Sequence, residues 1–348
     1  MAVRLTARQH QVPDDPEATF EYAIAQGWSD GLPLIPPTPE RVERMLGATS
    51  RDPQHVVARL DPRRGEATVE RIAINAVMAG CAPEYLPVLI AAVEAVADPR
   101  FNLNGIQATT NPVGPLLIVN GPIGKRIGIN SGRNALGPGC RANATIGRAL
   151  RLCLLNIGGA IPGEIDKAIL GMPGKYTFCL GENEEESPWE PLHVERGFAL
   201  EESTVTAVGV QGTNNVLILS GHAEDALLLT ADAMATMGNN NVLIGAGNPV
   251  VFFSPGHARQ FVEQGFQTKR AVRQFLFEHA RIPMDRFPPR EVLPTHPMHE
   301  RAIVDGQVCA VRKPDDLLVV VAGGAEPYHI TYCPSFGDTG AVTKKIEA

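Results

Sequence analysis

Along this chain, apolar residues return at three- and four-residue spacing in some stretches and stand in short solid runs in others, and the two patterns alternate. The longest helical stripe is in RANATIGRALRLCLLNIGG. There Ile146, Ala149, Leu150, Cys153, Leu154 and Ile157 share one face, and Gly158-Gly159 stops the helix. ATVERIAINAVMAG and EYLPVLIAAVEAVAD carry the same spacing, and further helices are predicted over 223–237 and 269–280. Short apolar runs predict strands at 105–108, 116–119, 176–180, 205–210, 216–219, 242–244, 250–253 and 317–321. Strands alternating with helices predict an α/β fold.

Residues 1–60 break this rhythm and read as a proline-rich N-terminal arm. It contains one short helix, capped by Thr38, started by Pro39 and ended by Gly47, with Trp28 expected to pin the arm to the body. The remainder divides into residues 61–200 and 201–348, expected to be two related α/β lobes. NGIQATTNPV (104–113) and NVLIGAGNPV (241–250) share the frame N-x6-N-P-V. Farther along each half comes E-P-x-H, as Glu190-Pro191-Leu192-His193 and Glu326-Pro327-Tyr328-His329. Such a pseudo-repeat predicts a pseudo-two-fold axis, with the cleft between the lobes as the binding site.

Composition narrows the function. The apolar fraction is 44 % while aromatics are only 5 %, so the core must rest on Leu, Ile, Val and Ala. A net charge of −7 offers no basic surplus for nucleic acid or an anionic membrane surface. LPVLIAAVEAVA is too short to span a bilayer, and the first twenty residues carry no apolar signal core, which reads as cytoplasmic. The six cysteines form no CxxC and read as buried thiols.

Several long stretches carry a resemblance: GWSDGLPLIPPTPERVERML, ERIAINAVMAGCAPEYLPVLIAAVEA, NPVGPLLIVNGPI, GINSG, GPGCRANATIGRALRLCLLNIGG and PGKYTFCLGENEEESPWEPLHVERGF. Together they resemble a bacterial family related to the C-terminal region of UGSC-motif (seleno)proteins. The resemblance implies an α/β body and, through the motif the family is named for, selenium or thiol redox chemistry. This chain carries no Cys-Gly-Ser-Cys of its own.

Three constellations can carry chemistry. GENEEESPWEPLHVERG sets six carboxylates, a His and a Trp in a loop straight after a predicted strand. Glu182, Glu184 and His193 are the candidate proton-moving groups, one carboxylate being raised by Trp189. Glu190 with His193 is the candidate set for a divalent metal, and the competing reading is a solvated acidic turn. The Gly-rich helix start GPGCRAN presents Cys140 as a candidate nucleophile, and Arg141, Asn143, Thr145 and Arg148 as ligands for an anion. Asn111, Asn130 and Ser131, near predicted strand ends, are candidate substrate contacts. His296 and His299 form HxxH, but Pro297 spoils the helix a zinc pair would need. No GxGxxG follows a strand, so no nucleotide cofactor is expected. These features point to a small-molecule lyase or hydrolase working by acid/base catalysis on a small anionic or polar substrate. The alternatives are a thiol-based redox enzyme or partner of a thiol/selenol protein, and a non-catalytic metabolite-binding protein. The arm is also a means of homo-oligomer contact.

Overall fold

The computed structural model describes residues 5–244, 247–288 and 303–347. The chain is α/β, arranged in four layers: helices, sheet, sheet, helices. The first sheet runs in the order Val342–Lys345, Thr204–Val210, Gly114–Asn120, Cys179–Gly181, and only its last two strands are parallel. The second runs Asn214–Leu217, His329–Cys333, Val250–Phe253, Leu318–Val321, again with only the last two parallel.

Strand alternation builds the layers. In Gly114–Asn120, Leu117 and Val119 pack with the helices Val69–Ala79, Leu86–Ala97 and Arg141–Asn156, while Leu116 and Ile118 face the other way. In Val250–Phe253, Val251 and Phe253 join the helices Ala223–Met234, Pro255–Glu263 and Lys269–His279, while Val250 and Phe252 face back. Leu116, Ile118, Val250, Phe252, Leu318 and Val320 therefore meet in one central core between the sheets. Both faces of the inner strands Gly114–Asn120 and Val250–Phe253 are covered, which is why they read as solid apolar runs rather than alternating ones.

The two sheets share a topology and exchange an outer strand. In each, a first strand pairs in parallel with a second and antiparallel with a third, but the fourth strand is supplied by the other half of the chain. Asn214–Leu217 leaves the first sheet's Thr204–Val210 to edge the second sheet, and Val342–Lys345 leaves His329–Cys333 to edge the first. The two departures meet at an antiparallel bridge between Val210 and Ser335. Thr204–Val210, beyond residue 200, is thus an interior strand of the sheet begun by Gly114–Asn120.

The N-x6-N-P-V segments precede the equivalent strands Gly114–Asn120 and Val250–Phe253, and both correct the sequence reading in the same way. Residues 105–108 and 242–244, expected as strands, lie in the helices Leu103–Ala108 and Asn240–Ile244. Asn102 and Asn239, the same distance ahead in each copy, start them: the Asn102 side chain accepts from Gly105 N at 3.1 Å and that of Asn239 from Asn241 N at 2.9 Å. A four-residue apolar run cannot distinguish the two states by period, and the caps decide. The strands His329–Cys333 and Val342–Lys345 and the hairpin Val56–Leu60/Gly65–Thr68 were not expected; 176–180 contributes only Cys179–Gly181. The E-P-x-H segments occupy the same connection in each sheet with different structures, a helix at Leu192–Glu195 and a strand at His329. His296 and His299 lie outside the described residues. Among the described residues no helix is long and apolar enough to cross a membrane.

The arm is tied to the first helical layer. It holds the expected helix Pro39–Leu46 and another at Pro16–Ala25. Trp28 stands edge-on to His10 and Tyr22, and its carbonyl accepts from Asn156 Nδ2 at 3.1 Å. Arg148 holds Asp30 through two 2.8 Å hydrogen bonds. The buried Glu70 carboxylate accepts from Thr6 N, Ala7 N and Gln54 Nε2 at 2.9, 2.9 and 2.6 Å. Burial pushes the Glu70 carboxyl up, but the hydrogen bonds from Ala7, Gln54 and Thr6 outweigh it and hold it below the usual range.

A depressed carboxyl stabilises the folded state fully above its unfolded value, about 4.3, and that contribution is lost as pH falls through the folded value. Glu70→Gln is therefore expected to lower Tm by a few degrees at pH 7. Calorimetry across pH should show the gap from wild type closing as pH drops below about 4; a gap constant with pH contradicts this anchoring.

Candidate functional site

Strands Gly114–Asn120 and Cys179–Gly181 run parallel, so their carboxyl ends open on one edge, with Val119 opposite Gly181. This register sets Asn120 beside Glu182, whose N–H donates to the Val119 carbonyl at 3.2 Å. The carboxyl ends of the second sheet's parallel strands come to the same place: Asn183 N donates to Val321 O at 2.7 Å, and Gly323 N donates to Ser131 O at 2.8 Å. The convergence of strand ends from both sheets is where an open α/β fold places a ligand.

At its centre is a buried ion pair. Glu182 and Lys269 have side chains 0 % and 1 % exposed and meet at 2.7 Å. The other Glu182 oxygen accepts from Asn120 Nδ2 at 2.6 Å and Leu192 N at 2.7 Å, so both carboxylate oxygens are engaged. Lys269, opening the helix Lys269–His279, lies 3.5 Å from Glu195, which pairs with Arg273 at 2.6 Å. Two carboxylates and two cations cancel here.

Glu184 stands outside that balance. Its Oε1 accepts from the second Asn120 amide hydrogen at 2.8 Å and from Gly121 N at 2.7 Å. The amide thus bridges the two carboxylates. Gly121 adopts φ +82°, and a Cβ there would run into the Glu202 carbonyl, so this donor position requires glycine. Glu184 keeps 23 % of its side chain exposed.

Behind it, His193 is fully buried. Its Nε2 lies 3.3 Å from the Leu200 carbonyl, to which it donates, and Nδ1 faces Glu184 Oε1 at 3.8 Å. Nδ1 and the Asn120 Oδ1 are buried acceptors with no hydrogen-bond partner among the described residues.

Glu182, Glu184 and His193 are therefore brought together, but with divided roles, Glu182 binding Lys269 and Glu184 with His193 holding the remaining charge. Trp189 does not flank a carboxylate of this cluster. It is buried against Phe253 and Phe261 of the second helical core, with Nε1 donating to Phe266 O at 3.3 Å. Glu190 is exposed, and among the described residues no three His, Cys, Asp or Glu side chains group as a metal site. Lys269 was missed by the sequence reading, and Asn120 was noted only as one of several asparagines near predicted strand ends. The end of LLIVN and the first residue of a predicted helix marked their positions, but not their contact.

The helix-start candidates are dispersed. Arg148 is committed to Asp30, and Thr145 Oγ1 donates back to the Arg141 carbonyl at 2.8 Å, so the expected anion-binding stripe is not presented by these two. Asn143 holds the loop together, its Oδ1 accepting from Asn130 N at 2.8 Å and its Nδ2 donating to the Asn130 and Ala135 carbonyls. Asn130 closes an Asx turn onto Gly132 N at 2.9 Å. Asn111 accepts from Gln211 Nε2 at 3.1 Å, and Asn248, its counterpart in the repeat, accepts from Ala341 N at 2.7 Å. Both secure the connection into an exchanged strand.

Cys140 precedes the helix Arg141–Asn156 at its N-cap position, with Sγ 3.0 Å from Asn143 Oδ1 and 3.2 Å from the Gly128 carbonyl. It is half-buried, whereas the other five thiols are buried. Burial pushes the Cys81 thiol up to about 12, and raises Cys153, Cys179, Cys309 and Cys333 as well. Iodoacetamide at pH 8 is expected to label Cys140 at least tenfold faster than the rest, read by peptide mass spectrometry. Equal labelling across the six in folded protein contradicts this placement.

Comparison with known proteins finds no match: no family model, no curated protein and no solved structure aligns with this chain.

Proposed function

We propose that the protein is a small-molecule enzyme of lyase or hydrolase type, with Glu184 as the proton-transferring group and His193 as the group that shares its proton. The observation that carries this reading is the orphaned, buried Nδ1 of His193 facing Glu184 Oε1 at 3.8 Å. General acid/base catalysis needs a group that reaches solvent or substrate and has somewhere to put the proton. Glu184 supplies the first, partly exposed at the convergent strand ends. His193 supplies the second, with its tautomer set by the Leu200 carbonyl. Asn120 and Gly121 N orient the carboxylate, and the balanced Glu182, Lys269, Glu195 and Arg273 set hold the loop that carries it. Glu182 acts here as a positioning residue, because its side chain is buried and both its oxygens are engaged. A small polar or anionic substrate meets Glu184 from the solvent side.

A second reading, thiol chemistry, draws on Cys140 being the accessible thiol among six and on the family resemblance. Its Sγ is already engaged by the Gly128 carbonyl and Asn143 Oδ1, which counts against it.

The test is a panel of small hydroxy acids, keto acids and esters incubated with the protein in D₂O and followed by NMR for turnover and solvent-deuterium incorporation. Glu184→Gln is expected to lower the rate by about 10²–10⁴-fold, with His193→Gln falling in the same range. Turnover of an identified substrate that survives Glu184→Gln contradicts the assignment.

A further inference from the structure

Between the N-terminal arm and the helix Val69–Ala79 lies a cavity of about 790 Å³ that the Glu184 chemistry does not use. Its apolar wall includes Trp28 and Leu34 from the arm, and Ile74 and Met78 from the helix. That size and lining match sites for small organic molecules, which run to about 300–1,000 Å³ and are mostly apolar.

A smaller cavity of about 150 Å³ adjoins it and shares two wall residues, Ile35 and Arg41. Among apolar residues it gathers three cations, Arg41, Arg44 and Arg141. Arg41 and Arg44 are one turn apart on the helix Pro39–Leu46, and Arg141 opens the helix Arg141–Asn156. Arg41 donates to the Pro36 carbonyl at 2.9 Å and Arg141 to the Gly80 carbonyl at 3.0 Å. These contacts orient the two guanidiniums without neutralising them. Among the described residues none of the three comes within 4.0 Å of a carboxylate, although Glu40 and Glu43 share the helix and Glu84 follows Pro83 in the wall. The Cys81 thiol in the same wall stays protonated and adds no negative charge. Three guanidiniums without an ion-pair partner around one small cavity, in a chain of net charge −7, form a local positive site.

We infer that the two cavities form one binding site for a small anionic amphiphile. Its apolar body lies between Trp28 and the helix Val69–Ala79, and its carboxylate or phosphate head is held by Arg41, Arg44 and Arg141. Arginine forks suit such heads because two N–H groups meet two oxygens. The site shares no residue with Glu184 and His193, so it stands whether or not that reading does. The arm supplies most of the larger cavity's wall, which gives the Glu70 and Asp30 anchors a function beyond stability.

The test titrates octanoate, octanol and acetate into the full chain by calorimetry, with Trp28 fluorescence read in parallel and Trp28→Phe as the signal control. Octanoate is expected to bind one to one, about tenfold or more tighter than octanol, with acetate showing no saturation over the same range. The paired change R41Q/R44Q is expected to weaken octanoate by about tenfold or more and leave octanol unchanged, with R141Q acting in the same direction. Equal affinity for octanoate and octanol, or octanoate binding indifferent to R41Q/R44Q, overturns the anionic head site. Absence of saturable octanoate binding in protein of normal circular dichroism and Tm overturns the site as a whole.

Discussion

Taking Glu182 and Lys269 out of water together is costly, and the structure offsets that cost by giving both carboxylate oxygens hydrogen-bond donors. Lys269 fills one oxygen, and Asn120 and Leu192 N fill the other. The pair does more than neutralise itself. Glu182 follows the last strand of the first sheet and Lys269 begins a helix packed on the second, so the contact spans the two sheets. It also fixes the start of the acidic loop, whose middle is pinned by Trp189 in the second helical core. Glu184 and His193 take their positions from that frame.

The exchange of outer strands explains why the frame lies where it does. Asn214–Leu217 and Val342–Lys345 each edge the opposite sheet, so neither sheet is complete without the other half of the chain. The central core of Leu116, Ile118, Val250, Phe252, Leu318 and Val320 locks the inner faces together. Parallel strands in both sheets then end on a common edge, where Asn183 and Gly323 cross between them. The consequence is one polar cluster assembled from both sheets. The two E-P-x-H segments take different surroundings. Glu190-Pro191-Leu192-His193 leads into a helix that buries His193, whereas Glu326 pairs with Arg133 and His329 opens a strand.

Long periodic segments were legible in the sequence, and short ones were not. The helix Arg141–Asn156 spans several turns, so its apolar face declared itself, and the strands around 116–119, 205–210, 250–253 and 317–321 were bounded by turn residues. Residues 105–108 and 242–244 were too short for period to decide, and the capping Asn102 and Asn239 made them helical. No local pattern reveals that a strand at 342–345 pairs with one at 204–210, because that pairing belongs to the topology. The candidate site divides in the same way. Glu182, Glu184 and His193 were visible because the acidic loop concentrates them, while Asn120 and Lys269 lie far from it in sequence. Arg141 was visible at its helix start, but its neighbours Arg41 and Arg44 come from an arm about a hundred residues earlier.

The most direct test of the Glu182–Lys269 frame is a double-mutant cycle on urea unfolding with Glu182→Gln, Lys269→Met and the two combined. Removing one partner leaves a buried charge or an unfilled set of donors, so each single change is predicted to cost about 3–5 kcal/mol. The combined change should cost clearly less than their sum, with a coupling energy of about 1 kcal/mol or more. Single effects below about 1 kcal/mol that simply add would contradict the account, since an ion pair on which the loop depends cannot be removed so cheaply.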